Sequence, residues 1–172
     1  VARYGATLLS QAAQAGGVPS GTTVNGYLGY WGASSTSGFR LRRVKAGVIA
    51  GASVPTSQQV DIGVFRQTVA PAGTGLAAAV LGQPFETWTP QTDPTTGVIA
   101  TTASSIGTTG PTIASNPIDI LTLNTQSTVD VPWEFMEEMV CAIGTANGFA
   151  FVNMTNALPA SHKIRLSFEI EV

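Results

Sequence analysis

Residues 162–172 read HKIRLSFEIEV, and from Lys163 onward they alternate without a break. Ile164, Leu166, Phe168, Ile170 and Val172 fall on one side; Lys163, Arg165, Ser167, Glu169 and Glu171 fall on the other. A period of two is the mark of a β-strand with one buried face, because successive side chains of a pleated chain point in opposite directions. Working outward, "QQVDIGVFRQ" (58–67) sets Val60, Ile62 and Val64 against Asp61, Gly63 and Phe65. "FRLRRVKAGVIAGA" (39–52) begins in the same way, with Phe39 and Leu41 opposite Arg40 and Arg42. Arg43 then breaks the parity and Val44 resumes it, which predicts a β-bulge. "NGFAFVN" (147–153) is strand-like, and "APAGTG" (70–75) is a turn sequence. The stretch 87–128, rich in Thr, Ser, Gly and Pro with apolar runs at Val98–Ala100 and Ile118–Leu123, reads as short strands with long loops. Strands without helical alternation predict an all-β sandwich or barrel over residues 37–172.

Residues 1–36 read differently and are expected to form an N-terminal arm or lead-in. "TLLSQAAQAGG" (7–17) suits a short helix stopped by Gly16 and Gly17. "GTTVNGYLGYWGASSTSG" (21–38) mixes aromatics and glycines without a period, so Tyr27, Tyr30 and Trp31 are expected against a core or a neighbouring subunit.

Composition supports the strand reading. Of 172 residues, 44% are apolar and 10% charged, against about 25% charged in an ordinary globular protein. A surface so poor in charge suits self-association. No run reaches the ~18 apolar residues of a membrane span. The opening residues lack the apolar core of a signal peptide, so secretion by that route is not expected. The charges are also segregated: residues 1–66 carry +5, residues 67–162 carry −7 with no Lys or Arg, and the last ten balance. Contact between the unlike regions is expected, within the fold or between copies.

Reactive residue types gather in "PWEFMEEMVC" (132–141). As a helix, Trp133, Met136, Val140 and Ile143 would share a face and Glu134, Glu137 and Glu138 the polar side. As strands, Val129, Val131, Trp133 and Phe135 alternate with Asp130, Pro132 and Glu134, followed by an acidic bend and a buried strand. The two-strand reading is favoured, with Pro132 on an edge or at a bulge because it donates nothing to a ladder. Glutamates on a solvated face far outnumber catalytic pairs, which need a pocket that separates their pKa values. Cys141 would need His162, the sole histidine, as an activating base; it reads instead as a small buried hydrophobe. Neither residue has metal-ligand spacing. No catalytic residue, cofactor or metal is expected. "RLRRVK" (40–45) is a short basic stripe on an acidic chain of pI about 5.2, which fits an acidic protein surface better than nucleic acid.

Residues 41–75 (LRRVKAGVIAGASVPTSQQVDIGVFRQTVAPAGTG), residues 131–157 (VPWEFMEEMVCAIGTANGFAFVNMTNA) and the closing KIRLSFEIEV together resemble small β-sandwich virion proteins of tailed bacteriophages, the decoration and minor head proteins. The resemblance implies an all-β, jelly-roll-like antiparallel β-sandwich and a non-enzymatic capsid decoration (cement) protein on the outer capsid surface. Its partners would be the major capsid protein and itself, as a homotrimer, with no nucleic acid and no membrane. A phage tail, fibre or receptor-binding module is the alternative. Tyr27, Tyr30, Trp31, Arg40, Arg42, Arg43 and Lys45 are the expected partner-binding residues.

Overall fold

A computed structural model of the chain describes residues 3–10, 16–17, 26–51, 54, 56–69, 76–78, 83–84, 96–100, 112–133 and 138–172. Two antiparallel sheets pack face to face, and the described residues contain no helix. Sheet I contains β1 (Arg3–Leu9), β3 (Phe39–Ile49), β6 (Gln83–Pro84), β10 (Thr128–Pro132) and β13 (Lys163–Glu171) in the order β10-β3-β13-β1-β6, with β11 (Met139–Cys141) also on β3. Sheet II contains β2 (Tyr27–Gly32), β4 (Gln59–Val69), β5 (Leu76–Ala78), β7 (Thr96–Ala100), β8 (Thr112–Ile113) and β12 (Gly148–Asn153) in the order β5-β7-β2-β12-β4-β8, with β9 (Asp119–Asn124) also on β4.

The core lies between the sheets. Leu41, Val44, Ile164, Leu166, Phe168 and Ile170 of sheet I face Leu28, Trp31, Val60, Ile62, Val64, Phe149 and Phe151 of sheet II. Phe168 ties the layers together: its ring centroid is 4.7 Å from that of Phe151 and 6.1 Å from that of Trp31. Phe39 meets Phe149 edge-on at 5.7 Å, the geometry aromatic quadrupoles favour.

The expected arm is corrected by this arrangement. Residues 1–36 contribute β1, paired with β13 along its whole length, and β2, inside sheet II. Thr7–Leu9, the start of the expected helix, are strand, while residues 11–15 of it lie outside those described. All six residues of β2 and of β12 are buried, because both faces of sheet II are covered there. Tyr27, Tyr30, Phe65, Ala150 and Val152 form a second cluster on the far face, with Ile113 and Met154 against it. A strand buried on both sides shows no alternation, and that is why "YLGYWG" carries no period.

Other expectations hold. The β13–β3 register shifts between Glu169 and Ile170, opposite Arg43 and Leu41, so Arg42 is the extra residue of a bulge. Pro132 ends the edge strand β10. Pro132, the last residue of β10, and Met139–Cys141 of β11 pair with one edge of β3, so no continuous helix runs from 132 to 143; Glu134, Phe135 and Glu137 lie outside the described residues.

Candidate functional site: the charged outer face of sheet I

The side of sheet I turned away from the core is built from the polar half of each alternation, and the strand registers set its rows. Arg3, Glu171 and Arg40 stand side by side across β1, β13 and β3, with Val140 of β11 beyond. The next rows are Gly5–Glu169–Arg43–Pro132, then Thr7–Ser167–Lys45–Asp130, then Leu9–Arg165–Gly47–Thr128, and last Lys163 with Ile49. The bulge turns Arg42 outward beside Arg43. This face therefore holds seven of the chain's eight basic residues and, among the described residues, four acids: Asp130, Glu138, Glu169 and Glu171. The net of +3 sits on a chain of net −2.

The two ends of the face differ. At the Arg40 end, Arg42 donates to Glu171 through Nη2 at 2.7 Å and through Nε at 3.0 Å. Glu138, whose side chain is only 3% exposed, accepts from Arg42 at 3.0 Å and from Arg40 at 3.3 Å. Arg3 lies 3.5 Å from Glu169. Hydrogen bonding to Glu171 raises the Arg42 guanidinium pKa further. In the middle, Arg43 grips Asp130 with two nitrogens, its Nε at 2.7 Å from Oδ1. That bidentate bond holds the Asp130 carboxyl below its usual value, with Lys45 at 3.7 Å assisting. At the far end, no acid among the described residues pairs with Arg165 or Lys163. Two depressions of about 220 and 400 Å³ share Lys45 and Arg165 in their walls.

Of the expected partner-binding residues, Arg40, Arg42, Arg43 and Lys45 are on this face. Tyr27, Tyr30 and Trp31 are not: each is 3% exposed or less. Tyr27 donates to Gln67 Oε1 at 3.3 Å and Tyr30 to the Asn147 carbonyl at 2.6 Å; burial pushes both phenols up. The three aromatics serve the interior because Tyr27 and Tyr30 cover the far face of sheet II while Trp31 enters the main core. Lys163, Arg165 and Gly47 were missed as site residues. Their outward parity was legible, but their neighbourhood comes from the β3–β13 and β3–β10 registers, which no local pattern specifies.

The thiol and the imidazole do not converge. Cys141 pairs with Phe39 at one end of β3 and Lys163, next to His162, pairs with Ile49 at the other. Ten residues of strand separate these points by about 33 Å. Cys141 is buried, and burial pushes its thiol up. His162 is 1% exposed and its Nδ1 lies 2.9 Å from the Ala160 carbonyl. Among the described residues no group of His, Cys, Asp and Glu could hold a metal ion.

Compared with protein-family models, curated proteins and solved structures, the chain has no match.

Proposed function

We propose that this protein is a structural component of a tailed-phage virion that decorates the outer capsid surface and stabilises the head. The observation that carries the reading is the gathering of seven of eight basic residues onto the outside of one sheet. Nearly all of the aromatic side chains among the described residues are meanwhile committed to the interior. Such a molecule offers a polar, positively charged plate with a rigid backbone, suited to lie on an acidic protein surface. The resemblance of residues 41–75 and 131–172 to decoration proteins supplies the partner: the major capsid protein, approached by a homotrimer. A trimer seated over a junction of capsid subunits holds several at once, so releasing one requires breaking many contacts together.

The test is the mass of the purified protein, alone and mixed with empty capsids. A trimeric mass and saturable association with capsids are expected, together with a higher temperature of capsid disruption. Monomeric protein that ignores capsids would end this reading; binding to host-surface glycans instead would favour a tail or fibre module. Deleting residues 1–36 is not a usable test of an arm, since it removes β1 and β2 from the two sheets.

A further inference from the structure

The far end of the basic face differs from the rest in three respects. It is where cations outnumber acids: among the described residues, Lys45, Arg165 and Lys163 stand in these rows with Asp130 alone. It is where the surface is indented, by a depression of about 220 Å³ walled by Lys45, Gly47, Thr128, Asp130 and Arg165, with the Thr128 methyl leaning over Gly47. It is also where apolar side chains break the charged surface: Leu9 beside Arg165 is 39% exposed and Ile49 beside Lys163 is 41% exposed.

We propose that this end is a docking site for an acidic, partly apolar segment of a partner protein. One carboxylate of that segment enters the depression between Lys45 and Arg165. The inference rests on the decoration reading only for the identity of the partner. Three features favour a protein segment over nucleic acid. The patch already binds a carboxylate, since Asp130, in the wall of the depression, is held by Arg43 and Lys45. Leu9 and Ile49 flank the cations, and they would leave phosphates without partners while contacting aliphatic side chains. Asp130 and Glu169 interrupt the stripe, which would repel a continuous polyphosphate backbone but leaves room for a single carboxylate. Bases would find no stacking platform here either, because the Phe and Tyr side chains of β1, β3 and β13 are buried.

The experiment is fluorescence anisotropy of the full chain at low and moderate salt, with fluorescein-labelled poly-L-glutamate and a single-stranded oligonucleotide of equal charge. Poly-L-glutamate is expected to bind the more tightly of the two and to weaken as salt rises. Two variants, Lys45→Gln with Arg165→Gln, and Gly47→Val, should each reduce that binding by about tenfold or more, the loss of roughly one charge-assisted contact. Arg66→Gln, at the one base off this face, should leave it unchanged. Circular dichroism checks that each variant is folded. Tighter binding of the oligonucleotide overturns the proposal, as does an equal loss in Arg66→Gln or undiminished binding in the Lys45/Arg165 variant. Protein that binds poly-L-glutamate but not capsids would keep the site and discard decoration; capsid association unchanged in that variant would do the opposite.

Discussion

Asp130 shows how a single residue sets the charge of its row. Its carboxylate is about 40% exposed, at 41%, and so is its partner Arg43, at 39%, which leaves the pair open to solvent screening and of modest worth to the fold. The bond from Arg43 nevertheless lowers the Asp130 pKa below that of an ordinary aspartate. A carboxyl depressed on folding contributes stability that is complete above its unfolded value and is lost as pH falls through the lower folded value. An NMR titration should therefore place the Asp130 midpoint below that of an aspartate in the unfolded chain, and Arg43→Gln should move it back up. A wild-type midpoint at or above the unfolded value would mean the bidentate bond is not formed. Glu138 shows what residue types alone fail to tell. Among three glutamates in a row of ten residues it suggested acid–base chemistry or a solvated bend, yet it is buried between Arg40 and Arg42. Its partners lie almost a hundred residues away in sequence, so only the β11–β3 pairing could reveal them.

The strand elements were legible where one face meets the core and the other meets water. β13, β3 and β4 were placed by alternation, and the β3 bulge by one broken parity at Arg43. β1 and β2 were not. In β1 the adjacent Leu8 and Leu9 hide the alternation: Leu8 is 2% exposed and Leu9 39%. β2 was obscured by a packing device that sequence shows only as glycines among aromatics. Gly32 and Gly148 are cross-strand partners, and the Tyr30 ring lies over the pair; a Cβ would come within 2.4 Å of it at Gly32 and 2.1 Å at Gly148. An aromatic covering cross-strand glycine restores the side-chain contact that glycine omits. Gly148→Val should displace Tyr30, strain its bond to Asn147 and cost about 1–3 kcal/mol, the usual range for overpacking. Chemical denaturation measures this, and an unchanged midpoint would show that the ring does not occupy the slot. Phe168 is the matching element across the sandwich. Removing its ring in Phe168→Ala should destabilise by about 3–5 kcal/mol, because Trp31 and Phe151 on the other sheet both lose their partner.

At the scale of the whole molecule, a separation of charge along the sequence has become a separation in space. The basic residues of the first 66 positions and those of the last ten meet because β1 and β3 flank β13 on either side. The acidic middle of the chain supplies only Asp130 and Glu138 to that face among the described residues. The expected contact between unlike regions thus occurs inside the fold, and it is incomplete, which leaves the Lys45–Arg165–Lys163 end positive. A molecule of this kind should not behave according to its net charge. By its net charge of −2 at pH 7 alone it would pass through a sulfonate cation exchanger. The described residues of the face sum to +3, and the Debye length is about 30 Å at 0.01 M salt, so at low ionic strength a resin met by this side senses its charges together. Retention on the cation exchanger at pH 7 and 0.01 M salt is the expected outcome. Elution should come by about 0.15 M, where the screening length falls to about 8 Å. The Lys45→Gln, Arg165→Gln variant should elute earlier, whereas Arg66→Gln, which removes the one base off this face, should elute with the wild type. Flow-through of the wild type at the lowest salt would mean that acids from elsewhere in the chain neutralise the face, and the basic plate would no longer support docking on an acidic surface.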